Sequence, residues 1–278
     1  MKYPLTEHAK KCAGGWVDRC PAHDDKSPSL SVCETSDGKL LLHCFAGCSF
    51  EEIIKAAGLT GDHFVGSNVP SIKYDKADAA RNLSKRVTHA KDIWRETIQL
   101  ADTLGQAYLH SRDIECWSDD IRFHPNLYYS PTKSRAPAMV CAVRRRKRFV
   151  GIHRTFLDQG GNKLRKMMLG DCKGGAVHLG GTGEPLIISE GIENGLAIRQ
   201  MLTSKEGTFL AAMSATNLGS LKLPPAPATL VIAADDDQTG KLEALKLGER
   251  AAGLGWRAST MLPPTPGDWN DYLRRGGD

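Results

Sequence analysis

The stretch Leu230–Asp237, LVIAADDD, decides the fold of this 278-residue chain. Its five apolar residues predict a buried strand, and the three aspartates place carboxylates at the carboxyl end of that strand. Gly240 and a helical pattern follow. A second stretch, Pro185–Glu190, has the same form, PLIISE, and is also followed by a helical pattern. We therefore expect two strands of an open α/β sheet, each with a carboxylate at the edge where such sheets bind ligands.

These clustered carboxylates predict a metal site. Neighbouring carboxylates repel one another, and burial favours their protonated form unless a cation lies among them. Oxygen ligands without nearby Cys or His favour Mg²⁺ or Mn²⁺ over Zn²⁺, and these ions keep water ligands that a phosphate-bearing substrate can displace. The alternative is that Glu190 and Asp235–Asp237 only cap the helices that follow them. Both interpretations remain open from the residues alone.

Length, charge and cysteine content narrow the class of protein. A chain of 278 residues fits one catalytic unit with a small additional domain. No apolar run approaches a membrane span and Met1–Cys12 lacks an apolar signal core, so we expect a soluble, cytoplasmic protein with no membrane partner. Five of the eight cysteines lie within the first 48 residues, which indicates metal binding rather than disulfides. Residues 81–173 carry a net charge of +10 against +5 for the whole chain, so they are the candidate anion-binding region.

Sequence patterns divide the chain into successive regions. The predicted regions are a small domain at residues 1–64, a linker at 65–80, a basic α+β subdomain at 81–180 and an α/β domain at 181–278. Apolar spacing between residues 79 and 110 predicts one long amphipathic helix or two joined ones. Pro137–Leu157 predicts a β-hairpin. The last region alternates strand and helix, which predicts a mostly parallel sheet with helices on both faces.

Two pairs of metal-binding residue types lie in the small first domain. Cys20 and His23 are separated by two residues, and Cys44 and Cys48 by three. Two such pairs, each in a tight turn, bring four ligands to a tetrahedron, and a domain of this size lacks a sufficient core without the metal. The alternative is that these cysteines are ordinary buried thiols. The paired spacing predicts one structural zinc ion in a zinc-ribbon-like domain.

The order of these motifs resembles a known family. CPAHDDKSPSLSV at Cys20–Val32 and LLHCFAGC at Leu41–Cys48 resemble the zinc-binding domain of bacterial and phage DNA primases, in which one Cys, one His and two further Cys hold zinc. EGIEN at Glu190–Asn194 and AADDDQTG at Ala233–Gly240 resemble the two halves of the Toprim metal site. DnaG-type primases share that site with topoisomerases and some nucleases. In order and content the chain resembles phage- or prophage-type primases, with a zinc-binding domain ahead of a Rossmann-like Toprim domain.

The resemblance implies a catalytic site and its ligands. It makes Glu190, Asp235 and Asp237 catalytic residues that hold two or more Mg²⁺ or Mn²⁺ ions. The segment PGDWNDYL resembles the final acidic motif, which adds Asp268 to the catalytic residues and Asp271 to the metal ligands. We expect the basic region to hold DNA and nucleotide phosphates through Arg122, Arg144, Arg145, Arg146, Lys147, Arg148, Arg154, Lys163 and Lys166. For the hairpin cations the alternative is a merely solvated tip.

The predicted function is that of a DNA primase, which makes short RNA primers on single-stranded DNA from nucleoside triphosphates. We expect it in the cytoplasm of a bacterial host cell, as a primosome component encoded by a phage or mobile element. No G-x-x-x-x-G-K-[ST] motif occurs, so the replicative helicase is expected to be a separate chain. Two alternatives remain: a Toprim nuclease that uses the same acids on water, and a non-catalytic zinc-dependent DNA-binding replication accessory protein. A topoisomerase is disfavoured because no Tyr lies in a recognisable nucleophile context.

Overall fold

A computed structural model describes residues 9–12, 15–25, 28–34, 40–58, 76–202 and 206–276. The chain divides into two compact units, residues 1–75 and 76–278. Most of the predicted linker at 65–80 lies outside the described residues, and its last five residues belong to a helix of the second unit. None of the described helices is both long enough and apolar enough to cross a membrane.

The first unit is a small antiparallel sheet with one helix. Its elements are β1 (Lys10–Cys12), β2 (Gly15–Asp18), β3 (Leu30–Glu34), β4 (Leu40–Cys44) and α1 (Phe50–Ala56). The strands pair in chain order. Ser49 and Glu52 form a reciprocal capping box that starts α1. The core consists of little more than Leu30, Val32 and Ile53 beside buried cysteines, which is too small to stabilise such a unit by burial alone.

The second unit contains six helices and nine strands within its described residues. They are α2 (Lys76–Arg95), α3 (Leu104–His110), β5 (Ile121–Tyr129), β6 (Ser134–Arg145), β7 (Arg148–Leu157), β8 (Lys163–Gly170), β9 (Ala176–Thr182), β10 (Leu186–Ser189), α4 (Ile192–Met201), β11 (Gly207–Ala211), α5 (Ala215–Ser220), β12 (Thr229–Ala233), α6 (Gln238–Gly253), β13 (Arg257–Met261) and α7 (Trp269–Arg274).

All nine strands belong to one mixed sheet. Its order is β13-β12-β10-β11-β9-β6-β7-β8, with β5 paired to β6. The four strands β13, β12, β10 and β11 are parallel to one another, as the alternation of strand and helix predicts. From β9 onward every pairing is antiparallel. The predicted α/β class is confirmed, and the basic region and the α/β region share one continuous sheet.

Helices cover both faces of this sheet. On one face α3 and α4 pack against the sheet through Tyr108, Leu109 and Leu196, which join a core with Phe209 and Leu179. The opposite face of the parallel strands is covered by α5 and α6. The opposite face of β6 and β7 is covered by α2. The apolar face of each helix therefore meets a buried strand face, which is the arrangement expected of an α/β sheet.

The two sequence patterns in the basic region have clear structural outcomes. The helical pattern from residue 79 to 110 is two helices rather than one, because residues 96–103 leave the helix and Ile98 bridges to Phe123 of β5. Thr103 then caps α3 by accepting a hydrogen bond from the N–H of Gly105. The β-hairpin is confirmed as β6 and β7, joined by the two-residue turn Arg146–Lys147.

Candidate active site and metal centres

Two neighbouring parallel strands bring the predicted acids to one edge of the sheet. β10 and β12 pair in parallel, with Ser189 opposite Ala233. Glu190 directly follows β10, and Asp235 is the second residue after β12. Because the carboxyl ends of parallel strands meet at the same edge, both side chains leave the sheet there.

Charge interactions show that the acids at this edge lie close together. Burial raises the pKa of Asp235 to about 7, and the charges of Glu190, Asp268 and Asp237 add to the increase while a hydrogen bond from Asn194 opposes it. Burial and the charge of Asp237 also raise the pKa of Glu190. Without a cation, these four carboxylates repel one another.

One oxygen of the Glu190 carboxylate gives the strongest indication that a cation binds at this edge. Its Oε2 is buried and has no hydrogen-bond partner in the described part of the chain. A buried carboxylate oxygen without a partner is costly unless the group is protonated or a cation binds it. Carboxylate oxygens are the ligands that Mg²⁺ and Mn²⁺ prefer, so these residues fit a divalent ion.

The helix-capping interpretation applies to two of the acids. Asp237 caps α6 by accepting a hydrogen bond from the N–H of Gly240 at 2.6 Å. Asp268 caps α7 by accepting one from the N–H of Asp271 at 2.8 Å. A cap uses one carboxylate oxygen and leaves lone pairs on the other, so capping and metal binding are compatible. Asp235 caps no helix. Glu190 is not the N-cap of α4, the helix that follows it, although its carboxylate accepts a hydrogen bond from the backbone N–H of Ala215 at the start of α5. Capping of the following helices therefore does not explain the whole set.

Two further acids lie beside this set. Asp236 points to Lys241, with Oδ1 and Nζ 2.5 Å apart. Successive residues of an extended segment face opposite sides, so Asp236 points away from the side that Asp235 and Asp237 share. The carboxylate of Asp271, in the first turn of α7, lies beside Gly267.

Asn194 connects two of the elements that carry the acids. Its Nδ2 donates to Oδ1 of Asp235 at 2.7 Å. Its Oδ1 accepts a hydrogen bond from the backbone N–H of Asn270 at 3.2 Å. Asn194 lies in the first turn of α4 and Asn270 in that of α7. A single buried amide therefore fixes Asp235 of the β12 edge relative to the helix that follows Asp268.

An ion pair between a buried carboxylate and a partly exposed lysine lies on the α3 and α4 face of the sheet. Lys166 Nζ is 2.8 Å from Glu193 Oε2, and the hydroxyl of Tyr108 donates to Glu193 Oε1 at 2.7 Å. Burial alone would raise the pKa of Glu193, but Lys166 and Tyr108 lower it to about 2. Burial lowers the pKa of the neighbouring His153 to about 4, so this imidazole is neutral near pH 7. Lys166 is therefore held in place by a carboxylate that stays ionised.

Most of the predicted phosphate-binding residues already have protein partners. Arg144 forms a bidentate ion pair with Asp120, and Arg145 contacts the carboxylate of Asp171. Arg122 lies over the ring of Trp94 with 5.0 Å to its centroid. Arg154 is buried over the ring of Phe156 and also donates to a backbone carbonyl. These four arginines therefore form contacts within the basic region itself.

The other predicted cations are exposed and fall in two places. Arg146, Lys147 and Arg148 lie at the tip of the β6–β7 hairpin. Lys163 lies on β8, where burial and the nearby charge of Lys166 lower its pKa and the charge of Asp268 opposes this. Of the predicted cations, Lys163 and Lys166 are thus the two that interact with the acidic site.

The first unit gathers its four predicted ligands into one cluster. The ligand atoms of Cys20, His23, Cys44 and Cys48 all lie within 4.8 Å of one another. Burial would raise the pKa of Cys44, but hydrogen bonds from the Cys48 backbone, Ser29 and other groups lower it to about 6. A Cys₃His set at this separation fits a tetrahedral metal ion, and one thiol is already disposed to be a thiolate.

Two features outside the ligand set support this cluster. Nδ1 of His23 is 3.2 Å from the Cys48 sulfur, while its Nε2 is 3.8 Å from Asp25 Oδ1, so a carboxylate lies beside the ring nitrogen that faces away from the cysteine. Gly47 has a φ of +100°, a conformation that a side chain would strain, and its N–H donates to the carbonyl of Cys44. This turn brings Cys48 back toward Cys44 across the three intervening residues.

Comparison with protein families agrees with the geometry of the acidic edge. Residues 185–278 match the family described as "Toprim domain". This part of the chain is a Toprim domain. Residues 84–179 match a second family, described as "Domain of unknown function (DUF7146)". The Toprim domain thus contains all five predicted magnesium ligands, and Lys166 and Tyr108 come from the other matched region.

The solved structures to which this chain is similar include several primases. The primase fragment of the bacteriophage T7 primase-helicase protein is 12% identical, with 94% of this chain and 96% of that chain covered and a TM-score of 0.40. A DNA primase domain from Pseudomonas aeruginosa is 16% identical, with coverage of 71% and 75% and a TM-score of 0.40. The RNA polymerase domain of Mycobacterium tuberculosis primase DnaG, in complex with double-stranded DNA, is 15% identical, with coverage of 69% and 76% and a TM-score of 0.39. No curated protein matches the chain.

Sequence reasoning missed four residues that support the sites. Glu193 and Asn194 lie in the EGIEN motif itself, three and four residues after Glu190. Both belong to the first turn of α4. Tyr108 and Asp25 carry no comparable motif. Their roles depend on partners distant in sequence or on a turn, which only the fold reveals.

Proposed function

We propose that the chain is a DNA primase that makes short RNA primers on single-stranded DNA by nucleotidyl transfer. The acidic edge of the Toprim domain carries this proposal. Its carboxylates raise one another's pKa, and one oxygen of Glu190 has no partner among the described residues. An edge of this kind needs divalent cations, and phosphoryl transfer to and from polyanionic nucleotides is chemistry that such cations support.

We assign Glu190, Asp235, Asp237 and Asp268 as ligands of Mg²⁺ or Mn²⁺, and Asp271, in the first turn of α7, as a further ligand. When bound, these ions stabilise the charge that develops on the attacking 3′-hydroxyl and on the departing pyrophosphate. The protein's own contribution is to fix the ligands. The caps of α6 and α7 hold two of the carboxylates, and Asn194 holds Asp235.

Two lysines on β8 supply the cations for the nucleotide. The ammonium of Lys166 has three donors, of which the contact with Glu193 uses one, and its side chain is 37% exposed. Lys163 is exposed on the same strand and interacts with Asp268. Because Glu193 holds Lys166 in one position, we assign this lysine to a nucleotide phosphate next to the metal ions.

Template binding involves both units. We assign the exposed Arg148 to template phosphates, as a sequence-independent contact. In the first unit the Cys₃His cluster would hold one structural Zn²⁺. Phe45, between two of these ligands, is 71% exposed and its ring meets that of His43 edge to face, so it offers a stacking surface for a template base. A separate helicase would unwind the duplex in the bacterial cytoplasm.

A priming assay on the whole chain tests this function. The protein is incubated with single-stranded DNA, labelled nucleoside triphosphates and Mg²⁺ or Mn²⁺, and products are resolved on a denaturing gel. We expect short RNA products, and we expect Asp235→Asn to reduce their yield at least about 100-fold because it removes a metal ligand. Asp236→Asn is the matched control, since Asp236 lies in the same triplet but points to Lys241.

Other outcomes of this assay would overturn the proposal. Cleavage of the DNA, lost in Asp235→Asn but not in Asp236→Asn, would identify a Toprim nuclease. DNA binding without products, unchanged in both variants, would identify a non-catalytic accessory protein. Equal loss of product in both variants would show that the triplet acts through its structure rather than through metal binding.

A further inference from the structure

A large cavity lies in the second unit, away from the acidic edge. Its volume is about 1090 Å³. Its floor is the face of β9 and β11 opposite α4, and one wall is the loop between α5 and β12, residues 221–228. Leu186 and Ala228 line it at the amino ends of β10 and β12, whereas Glu190 and Asp235 follow the carboxyl ends of the same strands. The cavity is therefore separate from the proposed catalytic site.

The walls of this cavity are mostly aliphatic. The apolar lining consists chiefly of Leu186, Leu210, Leu221, Leu223, Pro224 and Pro225. Among the lining residues that the structure describes, Trp256 contributes the only indole or phenyl ring and is 5% exposed, and His178 is engaged with the carbonyl of Gly181. Binding of unpaired nucleic-acid bases relies on exposed aromatic rings. The lining instead suits aliphatic side chains.

The rim of the cavity is positively charged. Arg146, Lys147 and Lys222 are exposed, and in the described second unit none of the three side chains forms an ion pair. The acids at the rim are already engaged: Asp120 pairs with Arg144, and Glu184 accepts a hydrogen bond from Thr229 and lies 3.8 Å from Arg257. The rim of this apolar cavity thus carries three cations that form no ion pair with the described residues of the second unit.

We propose that this cavity is a docking site for an acidic peptide segment of a partner protein. Aliphatic side chains of the segment fill the cavity, and its Asp and Glu residues lie against Arg146, Lys147 and Lys222. An apolar groove with complementary charge at its rim is a general mode of peptide recognition. The volume accommodates several side chains, which is enough for specific anchoring. This site is independent of the proposed priming reaction.

Selection from a phage-displayed library of random peptides of about twelve residues tests the site and requires no candidate partner. The whole chain is immobilised, and the library is depleted on the double variant Arg146→Glu, Lys222→Glu. We expect enriched peptides that combine Asp or Glu with Leu, Ile or Met. A fluorescein-labelled copy of an enriched peptide should bind the protein about tenfold more weakly after the double charge reversal, measured by fluorescence anisotropy.

Two further variants separate the contributions. Pro225→Asp places a carboxylate on the exposed wall of the cavity and should also weaken binding about tenfold, because it opposes both the apolar and the acidic parts of the peptide. Lys91→Glu reverses an exposed charge on α2, outside the cavity lining, and should leave binding unchanged.

The proposal is overturned by any of three results. These are an absence of enrichment over a blank surface, enriched peptides that bind the double variant equally well, and displacement of the peptide by an oligothymidylate that itself loses affinity in the double variant. The last result would make the cavity a nucleic-acid site.

Discussion

The chain gathers its candidate metal ligands in two regions, and these regions differ in what supports the ligands. The Cys₃His cluster lies in a unit whose apolar core contains few side chains, and turns rather than long elements position its ligands. The acids of the Toprim domain follow strands of a nine-stranded sheet with helices on both faces. In the first region a bound metal is expected to replace the missing apolar core. In the second region the apolar core forms without the metal and positions the acids.

This difference predicts what a metal ion does in each place. A unit without a sufficient core gains its folding free energy from the metal. A site on a preformed sheet needs no metal to fold, and its crowded carboxylates even oppose folding until a cation arrives. The metal is thus expected to be structural in the first region and functional in the second. The following predictions test this contrast, from the largest expected effect to the smallest.

Cys44→Ser is expected to unfold the first unit. Structural zinc contributes about 10–16 kcal/mol to such small domains, far more than their cores supply. Metal analysis should show loss of about one equivalent of zinc. Limited proteolysis should cut within residues 15–58 while the Toprim domain stays resistant. Cys116→Ser, a cysteine of the second unit, is the control, and unchanged zinc in Cys44→Ser would refute the ligand assignment.

Glu193→Gln is expected to destabilise the second unit by about 2 kcal/mol, because it removes the buried carboxylate that pairs with Lys166, whose ammonium is partly exposed and keeps some of its hydration. Urea denaturation followed by circular dichroism measures the change. The matched control is Asp92→Asn, which breaks the exposed pair with Arg95 and should cost less than about 0.5 kcal/mol. Equal effects in the two variants would show that the pair between Glu193 and Lys166 does not stabilise the fold.

Asn194→Leu is expected to raise the Mg²⁺ concentration for half-maximal priming about tenfold, because Asp235 loses the amide that orients it. Titration of activity with Mg²⁺ measures this shift. The midpoint of thermal unfolding must stay near that of the unaltered protein for the result to count. Asn126→Ala, at an exposed position of β5, is the control and should not change the Mg²⁺ requirement.

Asp235→Asn is expected to stabilise the metal-free protein by about 1 kcal/mol at pH 7, after allowance for solvent screening of a half-buried group. The folded pKa of Asp235, about 7, lies above the ordinary value of 3.8. The folded protein therefore binds more protons than the unfolded chain between these values, and its stability falls as the pH rises from about 4 to 7. Thermal unfolding in EDTA across this range should show a smaller decline for the variant. An identical pH dependence would contradict the inferred repulsion among the carboxylates.

Much of the architecture follows from local patterns in the sequence. Apolar runs of four or five residues that end in acids predict β10, β12 and their carboxyl edge, because the same local rule sets both the strand and its ligands. The Cys and His pairs predict their cluster for a similar reason, since each pair is held within one turn. The Toprim assignment and the parallel strands are confirmed.

The supporting contacts were not predictable in the same way. Glu193 depends on Lys166 of β8 and on Tyr108 of α3, which approach it only when the sheet closes over α4. The cations Arg144 and Arg145 were predicted to bind phosphates, yet both contact acids of the same unit. A sequence gives the charge of such residues, but the counter-ion is decided by the register and order of the strands.

The continuous sheet has a consequence for dividing the chain. One family match ends at residue 179 and the other begins at 185, so their boundary falls at the end of β9. This strand is the antiparallel partner of β11. A truncated chain starting at residue 185 would expose the backbone amides and carbonyls of β11 along a new open edge. Such an edge is expected to promote self-association, which light scattering would detect. The chain is therefore not expected to fold properly when it is divided at the boundary between the two family matches. An exchange of either part between relatives would have to transfer β9 and β11 together.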